Sequence, residues 1–272
     1  MNGTPSYFRD KTVLVTGASS GIGQELAWQL GQCGAKLTVA ARRRETLESL
    51  ADRIAKAGAP RPLVATCDVT RDGDVERAVT ESVRQWGTLD VVVANAGFGV
   101  VGRLSTLSIE DYRRQFETNV FGVLRTIYAA LPHIEHSRGH VVIIGSVAGW
   151  TSTPGTSPYA MSKFALRALA NAITPELRLA HVKVTLISPG FVVSDIRRVD
   201  NRGVLQAGAK DPVPAWLARS TSKAVRQILK AVAHGKREQI VTGQGKVLVL
   251  VERFAPWVIR AVAGRLAART ST

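Results

Sequence analysis

Hydrophobic positions along this chain follow two alternating periods. Short runs rich in β-branched residues are apolar on both faces: "TVLVTG" (12–17), "KLTVAA" (36–41), "PLVATCD" (62–68), "LDVVVANAG" (89–97), "HVVIIGS" (140–146) and "VKVTLISPG" (182–190). Between them the spacing becomes helical. Ile22, Leu26, Leu30 and Cys33 recur before a stop at Gly34, and Leu47, Leu50 and Ile54 mark the inward face of a second helix. Further helices are predicted over 72–86, 108–131 and 158–179, and "EQIVTG" (238–243) supplies a seventh strand. Doubly apolar strands separated by amphipathic helices predict an α/β fold: a doubly wound, Rossmann-type parallel sheet of seven strands, with helices on both faces, in a single domain. Such a sheet binds ligands at the carboxyl ends of its strands. Pro175, inside the last of these helices, predicts a kink or an early end.

A chain of 272 residues is long enough for one large core, and its 45% hydrophobic and 21% charged residues are ordinary for a globular protein. The amino-terminal "MNGTPSYFRDK" has no apolar stretch that reads as a secretion signal, and no run reaches the length of a membrane span. Cys33 and Cys67 lack metal-ligand spacing, which makes a reduced, cytoplasmic setting the expectation. Net charge changes the picture. The chain carries +15, and residues 213–272 hold eleven Lys or Arg against Glu238 and Glu252. Nucleic acid is the weaker explanation, because no aromatic residues interleave with the basic ones at regular intervals.

"TGASSGIG" (16–23) joins the first strand to the first helix. Gly17 suits a sharp turn, Gly21 a close approach of backbone to a pyrophosphate, and Gly23 tight helix–strand packing, with the helix N-terminus aimed at phosphates. Ser19, Ser20 and Ile22 complete the loop. The second strand ends "VAARRR" (39–44), where an acidic residue would favour NAD and an arginine the 2′-phosphate of NADP. Arg42 is the first candidate for that phosphate and Arg43 the second, while Arg44 reads as the basic start of a solvent-facing helix. The expected cofactor is NADP (NADPH).

With these motifs stand "CDVT" (67–70), "ANAG" (94–97), "ETNVFG" (117–122), "GSVAG" (145–149), "YAMSK" (159–163) and "SPGFVVS" (188–194). In this order the sequence resembles the short-chain dehydrogenase/reductase family over roughly residues 10–245. The resemblance implies cofactor contacts from Asp68 and Val69, from Asn95, Ala96 and Gly97, and from Pro189, Gly190, Val192 and Ser194. It implies a catalytic set of Asn119, Ser146, Tyr159 and Lys163, with Lys163 also on the ribose and Asn119 holding a proton-relay water. "ANAG" departs from the family's "NNAG" at Ala94.

Hydride transfer to a carbonyl leaves an alkoxide that needs a proton, and free tyrosine, titrating near ~10, gives one up too reluctantly. Four-residue spacing puts Tyr159 and Lys163 on one helix face, where an ammonium and an oxidised nicotinamide are expected to lower the phenol's pKa. Ser146, at a strand end, is placed to hold the substrate oxygen.

The remaining features carry paired readings. His133, His136 and His140 read as surface residues, and their spacing fits no standard zinc pattern. Residues 191–217 read as a lid with apolar lining from Phe191, Val192, Val193, Ile196, Val199, Leu205, Trp216 and Leu217, hinged by Gly203 and Gly208, or else as side chains packed on the protein itself. A hydrophobic steroid, retinoid, lipid or xenobiotic carbonyl or alcohol fits the first reading. Residues 1–245 form the expected oxidoreductase domain and 246–272 a basic amphipathic tail, broken at Pro256, in which Lys246, Arg253 and Arg260 repeat beside Phe254, Trp257, Val258 and Ile259. The tail either contacts an anionic membrane peripherally or packs on protein. Family members pair through the helices near 108–131 and 158–179, which implies a homodimer or homotetramer. The alternative to an enzyme is a non-catalytic, cofactor-binding or membrane-associated scaffold of the same fold.

Overall fold

In β1 (Thr12–Thr16), Val13 and Val15 join the core on one side of the sheet and Leu14 the core on the other, as a strand's two-residue period requires. The computed structural model describes residues 4–204, 206, 208, 213–214 and 216–269, and this two-sided burial organises all of it. The other strands are β2 (Lys36–Ala41), β3 (Leu63–Thr66), β4 (Val91–Ala94), β5 (His140–Ile144), β6 (Lys183–Ser188) and β7 (Glu238–Ile240). They form one parallel sheet of seven strands in the order β3-β2-β1-β4-β5-β6-β7. The order reverses between β1 and β4, which opens a crevice at their carboxyl ends.

One face of the sheet is covered by α2 (Gly21–Gln32), α3 (Arg44–Lys56) and α8 (Thr221–Ala233). The other is covered by α4 (Asp74–Trp86), α6 (Gly122–His136) and α7 (Ser157–Leu179). Each fully buried Val, Leu or Ile in these layers contributes on the order of 1.5–3 kcal/mol. A short amino-terminal helix, α1 (Thr4–Phe8), closes the lower edge with Phe8 inside the core. α5 (Ile109–Phe116) precedes α6, and α9 (Gly243–Phe254) and α10 (Pro256–Arg269) end the chain, divided near Pro256 as the sequence predicts.

The structure departs from the sequence reading in several places. The predicted helix over 108–131 is three pieces: α5, a π-helical turn over Glu117–Phe121, and α6, which continues past Pro132. α7 does not end at Pro175. The carbonyl of Asn171, which Pro175 cannot serve, accepts a long 3.5 Å bond from Arg237 Nη2. The strands are shorter than predicted, so Asp68, Asn95, Ser146 and Pro189 sit in the loops just beyond them. Leu205 lies outside the described residues.

His140 is not a surface residue. It is 1% exposed on β5, with Nε2 2.8 Å from Thr185 Oγ1 and Nδ1 3.1 Å from the Tyr7 hydroxyl. Thr185 Oγ1 donates its own proton to the Lys236 carbonyl, so His140 Nε2–H donates to Thr185 and Nδ1 accepts from Tyr7. Burial, with Lys183 and Lys11 nearby, drives its pKa from 6.5 down to about 3. The unfolded chain therefore takes up a proton that the folded one refuses, and stability falls as pH drops from 6.5 toward 3. A His140→Gln variant is expected to flatten this decline by up to about 1.4 kcal/mol per pH unit, read from urea midpoints across the range.

Candidate active site

Gly17 ends β1 with φ at 67°, and a Cβ there would lie 2.7 Å from Ala96 Cα, so only glycine makes the turn. Ser20 caps α2 with extended backbone and no side-chain hydrogen bond, leaving the first-turn N–H groups open to an anion. Asn95 braces the loop from beneath. Its Nδ2 donates to the carbonyls of Thr16 (2.8 Å) and Gly17 (3.2 Å), and its N–H donates to Thr16 Oγ1 at 3.1 Å. A side chain at Gly23 would collide with that amide and with the Gly17 carbonyl. The Asn95 side chain thus holds the phosphate loop.

At the end of β2 the three arginines divide. Arg43 folds over the glycine loop, with Nη2 3.1 Å from both the carbonyl and the Oγ of Ser19. Arg42 reaches the Gly203 carbonyl at 3.3 Å. Arg44 pairs with Glu48 at 3.0 Å on the solvent side of α3, as predicted. Beyond β3, Asp68 Oδ1 accepts from the N–H and hydroxyl of Thr70 at 3.0 and 2.8 Å, and Val69 packs under Gly122.

Ser146, just past β5, caps a one-turn helix over Val147–Gly149, accepting from Ala148 N–H at 3.1 Å. α7 begins close by, where Tyr112 and Ser157 hydroxyls meet at 2.7 Å. Tyr159, in its first turn, has the Ser146 side chain beside its phenol, and Lys163 lies one turn on, with Nζ 5.7 Å from the phenol ring centroid. Lys163 is 5% exposed and donates to the Ile144 carbonyl at 3.1 Å. Asn119, fully buried in the π-helical turn, accepts from Phe98 N–H at 3.1 Å and donates to the Phe98 carbonyl at 3.0 Å and to Ser162 Oγ at 3.2 Å. Gln115, which the sequence reading missed, adds a donor to the Phe98 carbonyl and an acceptor for Val100 N–H. The widened turn sets both amides against the 97–100 loop.

The expected electrostatics need correcting. Burial raises the Tyr159 pKa above its ordinary value, against opposing pulls from the Ser146 hydroxyl and the Arg197 charge. Lys163 is not among the groups that pull it down, and the same burial takes the lysine itself down to about 8. Desolvation disfavours phenolate and ammonium alike.

The segment after β6 closes over these groups. Val147 N–H donates to the Pro189 carbonyl at 2.9 Å, Gly190 fits against Thr242, and Ser194 lies beside Gly21. Val192 is buried in the core rather than lining a lid, and Phe191, Val193 and Trp216 are exposed. Arg197 Nη2 donates to the Val192 carbonyl at 3.0 Å, and the Asn201 side chain spans the N–H and carbonyl of Val101 at 3.0 and 2.8 Å. Neither residue carried a signal in the sequence. His133 and His136 stay at the far end of α6, and the described residues contain no group of three His, Cys, Asp or Glu that could hold a metal.

Because Asn95 satisfies two loop carbonyls, Asn95→Ala is expected to cost about 1–3 kcal/mol in urea denaturation. Asp68→Ala, which frees the N–H and hydroxyl of Thr70, is expected to cost about 0.5–1.5 kcal/mol in the same assay.

Comparison with known proteins agrees with this geometry. The short chain dehydrogenase family model matches residues 11–204. A mouse protein named dehydrogenase/reductase SDR family member 7B is 33% identical over 243 residues, 87% of this chain and 75% of its own. The 11-beta-hydroxysteroid dehydrogenase A of Sesamum indicum is 31% identical over 260 residues, 92% of this chain and 74% of its own. Among solved structures, an alcohol dehydrogenase of the archaeon Thermococcus sibiricus, complexed with 5-hydroxy-NADP, has a TM-score of 0.72 at 28% identity over 85% of this chain and 95% of its own. A Burkholderia phymatum short chain dehydrogenase/reductase in complex with NAD shares the fold, with a TM-score of 0.81 at 24% identity over 91% of this chain and 94% of its own. With its motifs in order on this sheet, the chain belongs to the short-chain dehydrogenase/reductase family of oxidoreductases.

Proposed function

We propose that this protein uses NADP(H) to interconvert a ketone and a secondary alcohol on an apolar substrate, with Tyr159 as the proton donor and acceptor. The observation that carries the reading is the meeting of Tyr159, Ser146 and buried Lys163 where β5 and α7 converge, beside the braced glycine loop. The loop fits a dinucleotide through its uncapped helix N-terminus and its glycine turn. When bound there, the nicotinamide supplies or accepts the hydride. Ser146, its Oγ accepting from Ala148 N–H, holds the substrate oxygen. Tyr159 delivers the proton to that oxygen during reduction. Asn119 fixes the neighbouring loop and lines the route by which Lys163 regains a proton.

NADP preference is supported by Arg42 and Arg43 beyond the neutral Ala41, and by the relative complexed with 5-hydroxy-NADP. An apolar substrate is supported by relatives named as 11-beta-hydroxysteroid dehydrogenases and by exposed Phe191 and Val193 beside the site. Self-association through α6 and α7 is supported by their exposed Tyr128, Met161 and Phe164.

Reduced-cofactor oxidation with a panel of hydrophobic ketones tests the reading, and Tyr159→Phe is expected to lower kcat by about a hundredfold or more. Turnover unchanged in that variant would refute the assignment. In the wild type, kcat/KM for reduction is expected to fall above pH about 8, where Lys163 loses its proton. A profile flat across that range would remove the lysine from this role. Arg42→Ala and Arg43→Ala are each expected to weaken NADPH about ten- to a hundredfold by calorimetry while leaving NADH nearly unchanged.

A further inference from the structure

The last two helices carry a face that suits neither bulk water nor a protein core. α9 buries Gly245 and Val249 but leaves Val247 60%, Leu250 55% and Phe254 76% exposed, and α10 continues with Trp257 at 70% and Val262 at 50%. Lys246, Arg253 and Arg260 are exposed among them at seven-residue intervals, and the Arg253 guanidinium lies 5.6 Å from the Phe254 ring centroid. Glu252 is the one acidic residue of this stretch, and it turns inward to accept from Thr151 Oγ1 at 2.9 Å. The face therefore offers aromatic and aliphatic groups bordered by cations alone.

It also adjoins the site. Gln244 Nε2, in the first turn of α9, donates to the Leu217 carbonyl at 2.9 Å and the Phe191 carbonyl at 3.4 Å. Those bonds join the tail to the segment whose Val193 and Trp216 are 50% and 84% exposed. A second copy of the chain is a poor occupant, because two-fold pairing would set this unrelieved positive charge against itself.

We propose that α9 and α10 lie on an anionic phospholipid surface, with Leu250, Phe254 and Trp257 at the acyl boundary and Lys246, Arg253 and Arg260 among the phosphates. No helix among the described residues is long and apolar enough to cross a membrane, so the contact lies in the plane of the interface. The inference stands independently of the hydride-transfer reading, since its test needs no turnover.

The experiment is flotation of the full chain with phosphatidylcholine vesicles, with and without phosphatidylserine. Retention is expected on the anionic vesicles only, with release by raised salt, a readout that needs no variant. The triple variant Lys246→Gln, Arg253→Gln, Arg260→Gln is expected to lose roughly fivefold in partitioning per cation, about a hundredfold in all. Phe254→Ser with Trp257→Ser is expected to lose at least about tenfold. Absence of retention, equal retention on neutral vesicles, or full retention of the triple variant would overturn the proposal. So would sedimentation showing self-association that Phe254→Ser with Trp257→Ser dissolves, which would make a second copy the occupant.

Discussion

Keeping Lys163 out of water is the constraint around which the site is built. Its amine is buried behind the end of β5, held by one backbone carbonyl, and the absence of a side chain at Gly149 lets α7 pack close at Lys163. Burial pushes the ammonium toward neutrality and the neighbouring phenol toward protonation. The two pKa values move apart, so burial holds the phenol protonated while the amine, at about 8, titrates near neutral pH. The Ser146 hydroxyl and the Arg197 charge supply the opposing pull on the phenol.

Such a pair works only if its surroundings are rigid, and the structure spends its buried amides on that rigidity. Asn95 ties the first switch-point strand to the second through Thr16 and Gly17. Asn119 and Gln115 hold both backbone groups of Phe98, and the π-helical turn aims them there. Asn201 repeats the device on the other side by bonding both backbone groups of Val101. Three loops that enter the site are thus fixed by amide side chains, which satisfy an N–H and a carbonyl at once and carry no charge to disturb the titrating pair.

The sheet was legible in the sequence because its strands are apolar on both faces, and the motif residues followed because a parallel sheet must bring its strand ends together. What was not legible arises from long-range partners. His140 opens an apolar strand just after a polar turn, and only the pairing of β5 with β6 and the placement of α1 surround it with Thr185 and Tyr7. Pro175 reads locally as a break, and the donor that relieves it comes from Arg237, far along the chain. The π-helical turn has no periodic signature in five residues, and Arg197 became visible only once the segment after β6 had closed over Tyr159. Helix α8 carries its period openly, with Val225, Ile228, Leu229 and Val232 buried at helical spacing.

The uneven charge of the chain finds its place through the same geometry. α8 lays its apolar stripe on the core and turns its basic residues outward, so its positive charge is ordinary solvated surface. α9 behaves differently. It spends glycine and a single valine on the domain and keeps its larger apolar side chains outside, although the same helix could have buried Leu250 or Phe254 by rotating about its axis. What prevents that rotation is the inward pair of anchors, Thr151 with Glu252 and Gln244 with the segment after β6. Polar bonds therefore fix the orientation of α9 against the pull of the hydrophobic effect, and the cost is an exposed aromatic face beside the segment after β6. Such a cost persists in a fold when something outside the chain offsets it.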